Sequence, residues 1–309
     1  MRAYTGERIP AWLRRPVTER VGKGPARRAV SGVNIVCQEA RCPNRGRCLG
    51  EGKTATFLLM GPGCSRDCRF CSVVHGPLPL DRGEPEKVAR AAAALGLDYV
   101  VVTSTTRDDL ADGGAGHFAA TVAAVRKELP DADVEILAPD FGGDRAAVGA
   151  AAAASIAVFG HNVETVPRLY GSVRPGAEYG RSLRVLTWAA EAGVLTKSAI
   201  IVGMGEEERE VLAVMRDLRS AGVSIVAIGQ YFRPGKRQIP VARFWEPRAF
   251  QKLESEAREM GFAAAVCAPY VRSSYRAGDV YRSAVAAKNP TIFDKKRHRY
   301  DKLRGLHRR

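Results

Sequence analysis

From about residue 54 onward, short runs of β-branched and other apolar residues alternate with longer segments whose apolar positions recur every three or four residues. The runs predict strands at 54–60, 99–104, 133–138, 155–159, 199–203, 223–231 and 262–268, and the periodic segments predict helices at 84–95, 116–129, 144–154, 182–192, 206–221 and 247–260. Strands that are apolar on both faces need cover on both faces, which implies a parallel sheet, either open and doubly wound or closed into a complete or partial barrel. The polar residues of interest fall just after the strands, at 64–71, 103–109, His161 and Asn162, 203–206, and Gln230 and Tyr231. In such sheets the carboxyl ends of the strands are where chemistry is built, so these loops predict an enzyme. Six βα units fill residues 54–261. Residues 1–53 and 262–309 fall outside the repeat and are expected to be extensions that close over that face or over the base.

Composition narrows the class. Of 309 residues, 46% are hydrophobic and 26% charged, which excludes a mainly disordered, collagen-like or coiled-coil chain. The longest uncharged stretch, 146–163, is alanine-rich and broken by Gly149, Gly160, His161 and Asn162, so no membrane span is expected. Glu7, Arg8, Arg14 and Arg15 stand where an apolar export signal would run, and a cytoplasmic location is expected. The net charge of +15 suits an acidic partner without choosing one, and its densest part, 295–309, reads as a solvated tail.

Seven cysteines are odd in number for a disulfide framework, and six of them lie between Cys37 and Cys71. In a chain without an export signal, such grouping points to metal ligation. Cys64, Cys68 and Cys71 have the spacing C-x3-C-x2-C, directly after an apolar strand. Three thiolates are one short of a closed structural zinc site, but they hold a four-iron cluster with one iron left open. The competing reading is a zinc knuckle completed by another cysteine, in a zinc-stabilised nucleic-acid-binding module that uses the basic tail. The βα repeat, which commits most of the chain to a catalytic scaffold, argues against it. Cys37, Cys42 and Cys48 form a second set of three, spaced C-x4-C-x5-C. The seventh, Cys267, reads as a small buried hydrophobe in the last strand.

The first triplet is the spacing of the radical S-adenosylmethionine signature, and the second, followed by Gly52, Lys53, Thr54, Ala55, Thr56 and Phe57, resembles the auxiliary-cluster motif of lipoyl synthases. The similarity runs along nearly the whole chain. It includes Pro10 to Arg14, Thr103 and Ser104, 107–114, 161–170, 173–177, Thr196, Lys197 and Ser198, 229–231, and Arg272, Ser273, Ser274 and Tyr275.

The resemblance implies a partial (β/α)6 barrel of the radical SAM type, with N- and C-terminal extensions carrying an auxiliary iron–sulfur cluster. It implies two [4Fe–4S] clusters and S-adenosylmethionine as cofactors. Cys64, Cys68 and Cys71 would hold the first cluster, and Cys37, Cys42, Cys48 and Ser274 the second, with Ser273 or Cys267 as alternatives to Ser274. An oxygen-held iron is more easily released than one held by thiolate, which suits a cluster that gives up sulfide. Phe70, Thr103, Ser104, Asn162, Glu164 and Arg174 are the candidates for S-adenosylmethionine contacts, and Lys197 for a substrate or cofactor contact. The implied reaction inserts sulfur at carbons 6 and 8 of an octanoyl group amide-linked to a lysine of a lipoyl carrier domain. Implied partners are such carriers (2-oxoacid dehydrogenase E2 subunits, glycine cleavage H protein), an electron donor such as ferredoxin or flavodoxin, and an iron–sulfur carrier for repair; neither nucleic acid nor membrane is expected. Gly160, Ala199, Ser224 and Gln238 depart from the family's pattern, so the alternative is a divergent sulfur-inserting enzyme for another acyl or peptide substrate.

Overall fold

In the computed structural model the described residues are 9–14, 30–40, 42, 44 and 55–288, without the side chain of Cys37. One parallel sheet runs in chain order through β1 (Thr56–Leu59), β2 (Tyr99–Ser104), β3 (Asp133–Leu137), β4 (Val158–Gly160), β5 (Leu195–Val202), β6 (Ile225–Gln230) and β7 (Ala264–Cys267). The crossovers carry α1 (Glu84–Ala94), α2 (Ala115–Glu128), α3 (Arg145–Ala152), α4 (Tyr179–Glu191), α5 (Glu208–Ser220) and α6 (Pro247–Glu259). A doubly wound sheet reverses its strand order at a switch point. Here the order never reverses and β1 does not pair with β7, so the sheet is a partial barrel, open between its two edge strands.

Local sequence explains the elements. Pro85 and the acidic residues Glu84 and Glu86 begin α1, where a missing N–H and negative charge are both tolerated. A reciprocal capping box between Glu207 and Glu210 begins α5. One apolar layer packs between sheet and helices, with Val100, Val102, Val134, Ile136, Phe118 and Phe159 in its first half and Val202, Val226, Ile228, Leu218, Trp245 and Phe250 in its second. The opposite faces of the strands line the barrel interior.

That interior is polar halfway up. Lys197 Nζ donates to Glu135 Oε1 at 2.8 Å and to Oε2 at 3.1 Å, and the Tyr99 hydroxyl donates to Glu135 Oε2 at 2.6 Å. The expected substrate or cofactor contact of Lys197 is not what the structure shows: the side chain is buried inside the barrel, paired with Glu135. Below this pair α7 (Ala277–Lys288) fills the base, with Tyr281 against Tyr99 at 5.5 Å between ring centroids. The strand expected at 199–203 begins four residues earlier, at Leu195. Thr196, Lys197 and Ser198 are polar and fall outside the expected strand, but each is satisfied internally. Thr196 Oγ1 donates to Gly222 O, Lys197 pairs with Glu135, and Ser198 Oγ accepts from Val163 N. The last predicted strand is β7, which extends the same sheet by pairing with β6 from Ile225 to Ile228.

Candidate active site

The loop after β1 carries Cys64, Cys68 and Cys71, all free and half-buried. It is held from several sides. Gly63 and Cys64 pair in parallel with Val74 and His75, and a Cβ on Gly63 would sit 2.0 Å from Gly76 O, so only glycine allows this closure. Thr105 Oγ1 donates to Gly63 O at 2.8 Å, and Arg69 N donates to Val173 O at 2.9 Å. Arg66, between the first two cysteines, makes two-pronged ion pairs with both Asp108 and Asp140, every contact at 2.8 Å. Burial alone would raise the Asp140 carboxyl, but hydrogen bonds and charge from Arg66 outweigh it and hold that carboxyl at about 2. The sequence offered no sign of Arg66's role beyond its place inside the motif.

Burial pushes the Cys71 thiol up to about 12, with the Val73 N–H opposing and Cys68 and Cys64 adding to the rise. Cys68 is also raised by burial, against the charge of Arg174. Thiols in such surroundings become thiolates when a metal supplies the positive charge. Among the described residues no three His, Cys, Asp or Glu side chains converge as a single metal ion would require. A four-iron cubane instead takes one thiolate at each of three corners, and this donor set fits it.

Beside Cys68 lie the residues that follow β4. Arg174 Nη1 donates to the carbonyls of Asn162 and Val163 and to the Tyr170 hydroxyl, and its guanidinium lies 5.2 Å from the Tyr170 ring centroid. Asn162 Nδ2 donates to Glu164 Oε1 at 3.0 Å. Glu164 has φ +64°, an uncommon backbone conformation for a residue with a side chain; the residue is half-buried and its Oε2 is shut off from solvent. Burial raises its carboxyl, with Arg174 and Asn162 opposing. Three buried polar atoms here have no partner: Glu164 Oε2, Arg174 Nε and Ser104 Oγ. Unpaired buried groups of this kind are costly, and a polar ligand would satisfy them. Thr103 sits at the same strand end, but its hydroxyl proton is committed to Leu137 O at 2.7 Å. Phe70 packs with Val173, Met204 and Tyr231. The structure thus brings Cys68, Asn162, Glu164 and Arg174 together, with Phe70 beside them. His161 turns the other way, its Nδ1 donating to Ala138 O and its Nε2 facing Ser182 Oγ, both at 3.0 Å.

Two extensions meet at this face. Ser273 Oγ donates to Asn162 Oδ1 at 3.1 Å, and Ser274 lies next to it in the same turn. Asn44 Nδ2 donates to Tyr270 O at 2.6 Å, Tyr270 donates to Leu13 O at 2.5 Å, and Ser72 Oγ donates to Glu39 O at 3.0 Å. Cys42 is half-buried, two residues before Asn44; the Cys37 side chain and Cys48 lie outside the described residues. Cys267 belongs to the outer apolar layer with Val226, Ile228 and Leu253, and burial pushes its thiol well up. The departures also find places. Leu137 Cδ1 would lie 3.2 Å from a Cβ on Gly160, so Leu137 takes the room there. Ala199 packs with Ala227 and Val271, and Ser224 lies before β6 at the far end of the barrel. Gln238 Nε2 donates to Cys71 O at 2.9 Å.

Residues 58–218 match the family model of the Radical SAM superfamily. A lipoyl synthase of Acidothermus cellulolyticus is 48% identical over 289 residues, covering 91% of this chain and 88% of that protein. The chain belongs to the lipoyl synthase family. A further lipoyl synthase, of Trichlorobacter lovleyi, is 49% identical over 280 residues, covering 88% and 98%. Among solved structures the fold is similar to methylornithine synthase, with a TM-score of 0.54, 14% identity and 77% of each chain covered. It is also similar to the hydrogenase maturase HydG, with a TM-score of 0.55, 12% identity, and 76% and 56% covered. The lipoyl synthase family brings [4Fe–4S] clusters and S-adenosylmethionine as cofactors. The three thiols and the unpartnered atoms of Glu164, Arg174 and Ser104 fit those groups. Among the described residues no helix is long and apolar enough to cross a membrane.

Proposed function

We propose that this chain inserts two sulfur atoms, at carbons 6 and 8, into an octanoyl group amide-linked to a lysine of a lipoyl carrier domain. The supporting observation is the position of the turn 272–275. Ser273 is bonded to Asn162 beside Cys68, while Tyr270, just before the turn, is bonded to Asn44 of the cysteine-bearing N-terminal extension. A turn tied on one side to Asn162 and, through Tyr270, to Asn44 supports a donor from the C-terminal extension at this face. In this reading Ser274, to which the resemblance maps the family's serine, is the fourth ligand of the auxiliary cluster, with Cys37, Cys42 and Cys48, while Ser273 bonds Asn162.

Bound at this face, the first cluster and S-adenosylmethionine would supply one-electron cleavage to methionine and a 5′-deoxyadenosyl radical able to abstract hydrogen from an unactivated carbon. The protein's own work is positional. Cys64, Cys68 and Cys71 hold the cluster through a loop fixed by Arg66. Glu164 Oε2 accepts from the hydroxyl or amino groups of S-adenosylmethionine, Asn162 orients Glu164, and Arg174 offers Nε beside Cys68. Phe70, Tyr231 and Met204 form an apolar wall that limits water and stray hydrogen donors. The two extensions, 1–53 and 262–309, carry the auxiliary cluster, and the carriers are E2 subunits of 2-oxoacid dehydrogenases and the glycine cleavage H protein.

An anaerobic single-turnover reaction with reconstituted protein, S-adenosylmethionine, dithionite and an octanoyl-lysine peptide tests the reading by mass. The expected product carries two added sulfurs and forms with 5′-deoxyadenosine. Ser274→Ala should still yield 5′-deoxyadenosine without the doubly thiolated peptide. Nucleoside without any thiolated peptide from the unmodified protein would show that the substrate is another acyl or peptide group.

A further inference from the structure

Between Asp217 and Glu246 the chain has no acidic residue but carries Arg219, Arg233, Lys236, Arg237 and Arg243. The last four lie on the loop 232–244 after β6, which packs onto the cysteine loop. Ile239 N donates to Arg69 O at 3.0 Å, and Gln238 Nε2 donates to Cys71 O at 2.9 Å. The loop is stiff. Arg233 donates to the carbonyls of Gln238 and Lys236 at 2.7 and 2.6 Å, Tyr231 donates to Ile239 O at 2.9 Å, and Ala242 N donates to Gly203 O at 2.8 Å. Lys236, Arg237 and Arg243 are exposed, as is Arg69 on the cysteine loop. Val74, three residues beyond Cys71, is 60% exposed, and Asp67 is the acidic neighbour on the same loop.

We propose that this rim, formed by Lys236, Arg237, Arg69 and Val74, docks a small acidic one-electron donor protein. The inference rests on the reading of Cys64, Cys68 and Cys71 as cluster ligands. Three features carry it. The rim is basic in a chain of charge +15, so it attracts an acidic surface and raises the encounter rate. It is pre-organised by its own hydrogen bonds, so little ordering is lost on docking. It is also joined to the cluster loop: Arg237 is followed by Gln238, whose amide is one hydrogen bond from the main chain of Cys71. In the proposed step the donor is oxidised by one electron and the cluster reduced by one, with no atom or proton exchanged. Gln238, one of the departures noted in the sequence, keeps an N–H donor to Cys71 at this junction.

The test compares two reductants on reconstituted protein, reading 5′-deoxyadenosine formation. In one arm the electron comes from a purified flavodoxin with its NADPH-dependent reductase, and in the other from dithionite, which needs no docking. Lys236→Glu/Arg237→Glu is expected to lower the flavodoxin-driven rate about tenfold, leave the dithionite-driven rate within about twofold, and weaken flavodoxin binding measured by calorimetry. Raising the salt should reproduce the loss in the unmodified protein. Arg69→Glu, placed on the other loop, should show the same split and guards against a local folding defect in the double variant. Equal rates with both reductants, before and after substitution, overturn the proposal. So does a loss seen only as a raised KM for an octanoylated carrier domain under dithionite, which would make the rim a carrier-docking face. Cleavage of S-adenosylmethionine is read without any sulfur acceptor, so failure of sulfur insertion would leave this test intact.

Discussion

At the scale of single residues, Glu164 is the most constrained group of the site. Its backbone is left-handed, its carboxylate is buried, and one oxygen faces no partner. Glu164→Gln keeps the shape and the Asn162 contact but removes the charge. Hydrogen bonds to charged groups contribute about 1.5–3 kcal/mol, so the affinity for S-adenosylmethionine should fall roughly ten- to hundredfold, measured by equilibrium binding to reconstituted protein. His161 makes a separate, pH-dependent contribution. Burial first, then the charge of Arg174, lowers it to about 4, against about 6.5 in an unfolded chain. Because the folded value is depressed, the neutral ring's contribution is fully present above pH 6.5 and is lost as the pH falls toward 4. The shift corresponds to about 3 kcal/mol over that window. Urea midpoints at pH 7.5, 6 and 5 should show the fall, and His161→Asn should remove its share of the slope.

At the scale of elements, the buried pair between β3 and β5 sets the strongest expectation. Lys197→Met leaves Glu135 buried with only Tyr99 to bond it, and loss of one member of such a pair costs about 3–5 kcal/mol. Denaturant unfolding should register that loss, and the double variant Lys197→Met/Glu135→Leu should recover most of it. The same pair shows why some elements were legible in the sequence and others not. Strands such as Tyr99–Ser104 are apolar at nearly every position and were read to the residue. Leu195–Val202 was read from its apolar end only, because hydropathy cannot distinguish a paired interior lysine from a loop lysine. Helix Ala277–Lys288 was missed for a related reason. Its buried face is Ala277, Gly278, Tyr281 and Ala284, three small residues around one aromatic that give little contrast, and Gly278 is small because a Cβ there would lie 3.1 Å from Tyr99 Cβ. At the site, spacing revealed the cysteines, since a cluster fixes it. Arg66 and the Ser273–Asn162 bond were not legible, because their partners lie 42 to 111 residues away.

At the scale of the whole molecule, chain order and site assembly are coupled. Leu13 and Asn44 reach Tyr270, and Phe232 stacks on the Tyr270 ring at 5.0 Å beneath Arg272, so both extensions are clamped at one point over the barrel. Asn44→Ala/Tyr270→Phe removes both hydrogen bonds and leaves Cys64, Cys68 and Cys71 untouched. Iron after anaerobic reconstitution should fall from about eight per chain towards about four, with cleavage of S-adenosylmethionine by dithionite retained. The base has the same dependence on distant sequence, since α7 packs against β2, whose first residue lies 178 positions earlier (277 − 99). On the ribosome the chain emerges from its N-terminal side, so the strands up to β6 are made while the barrel still lacks its floor and the turn 272–275. Water then has access to Glu135 and Lys197, and Asn162 beside Cys68 lacks its Ser273 partner. The face around Cys64, Cys68 and Cys71 therefore reaches its final surroundings only in the finished polypeptide, and a cofactor delivered earlier would meet a site still open to water.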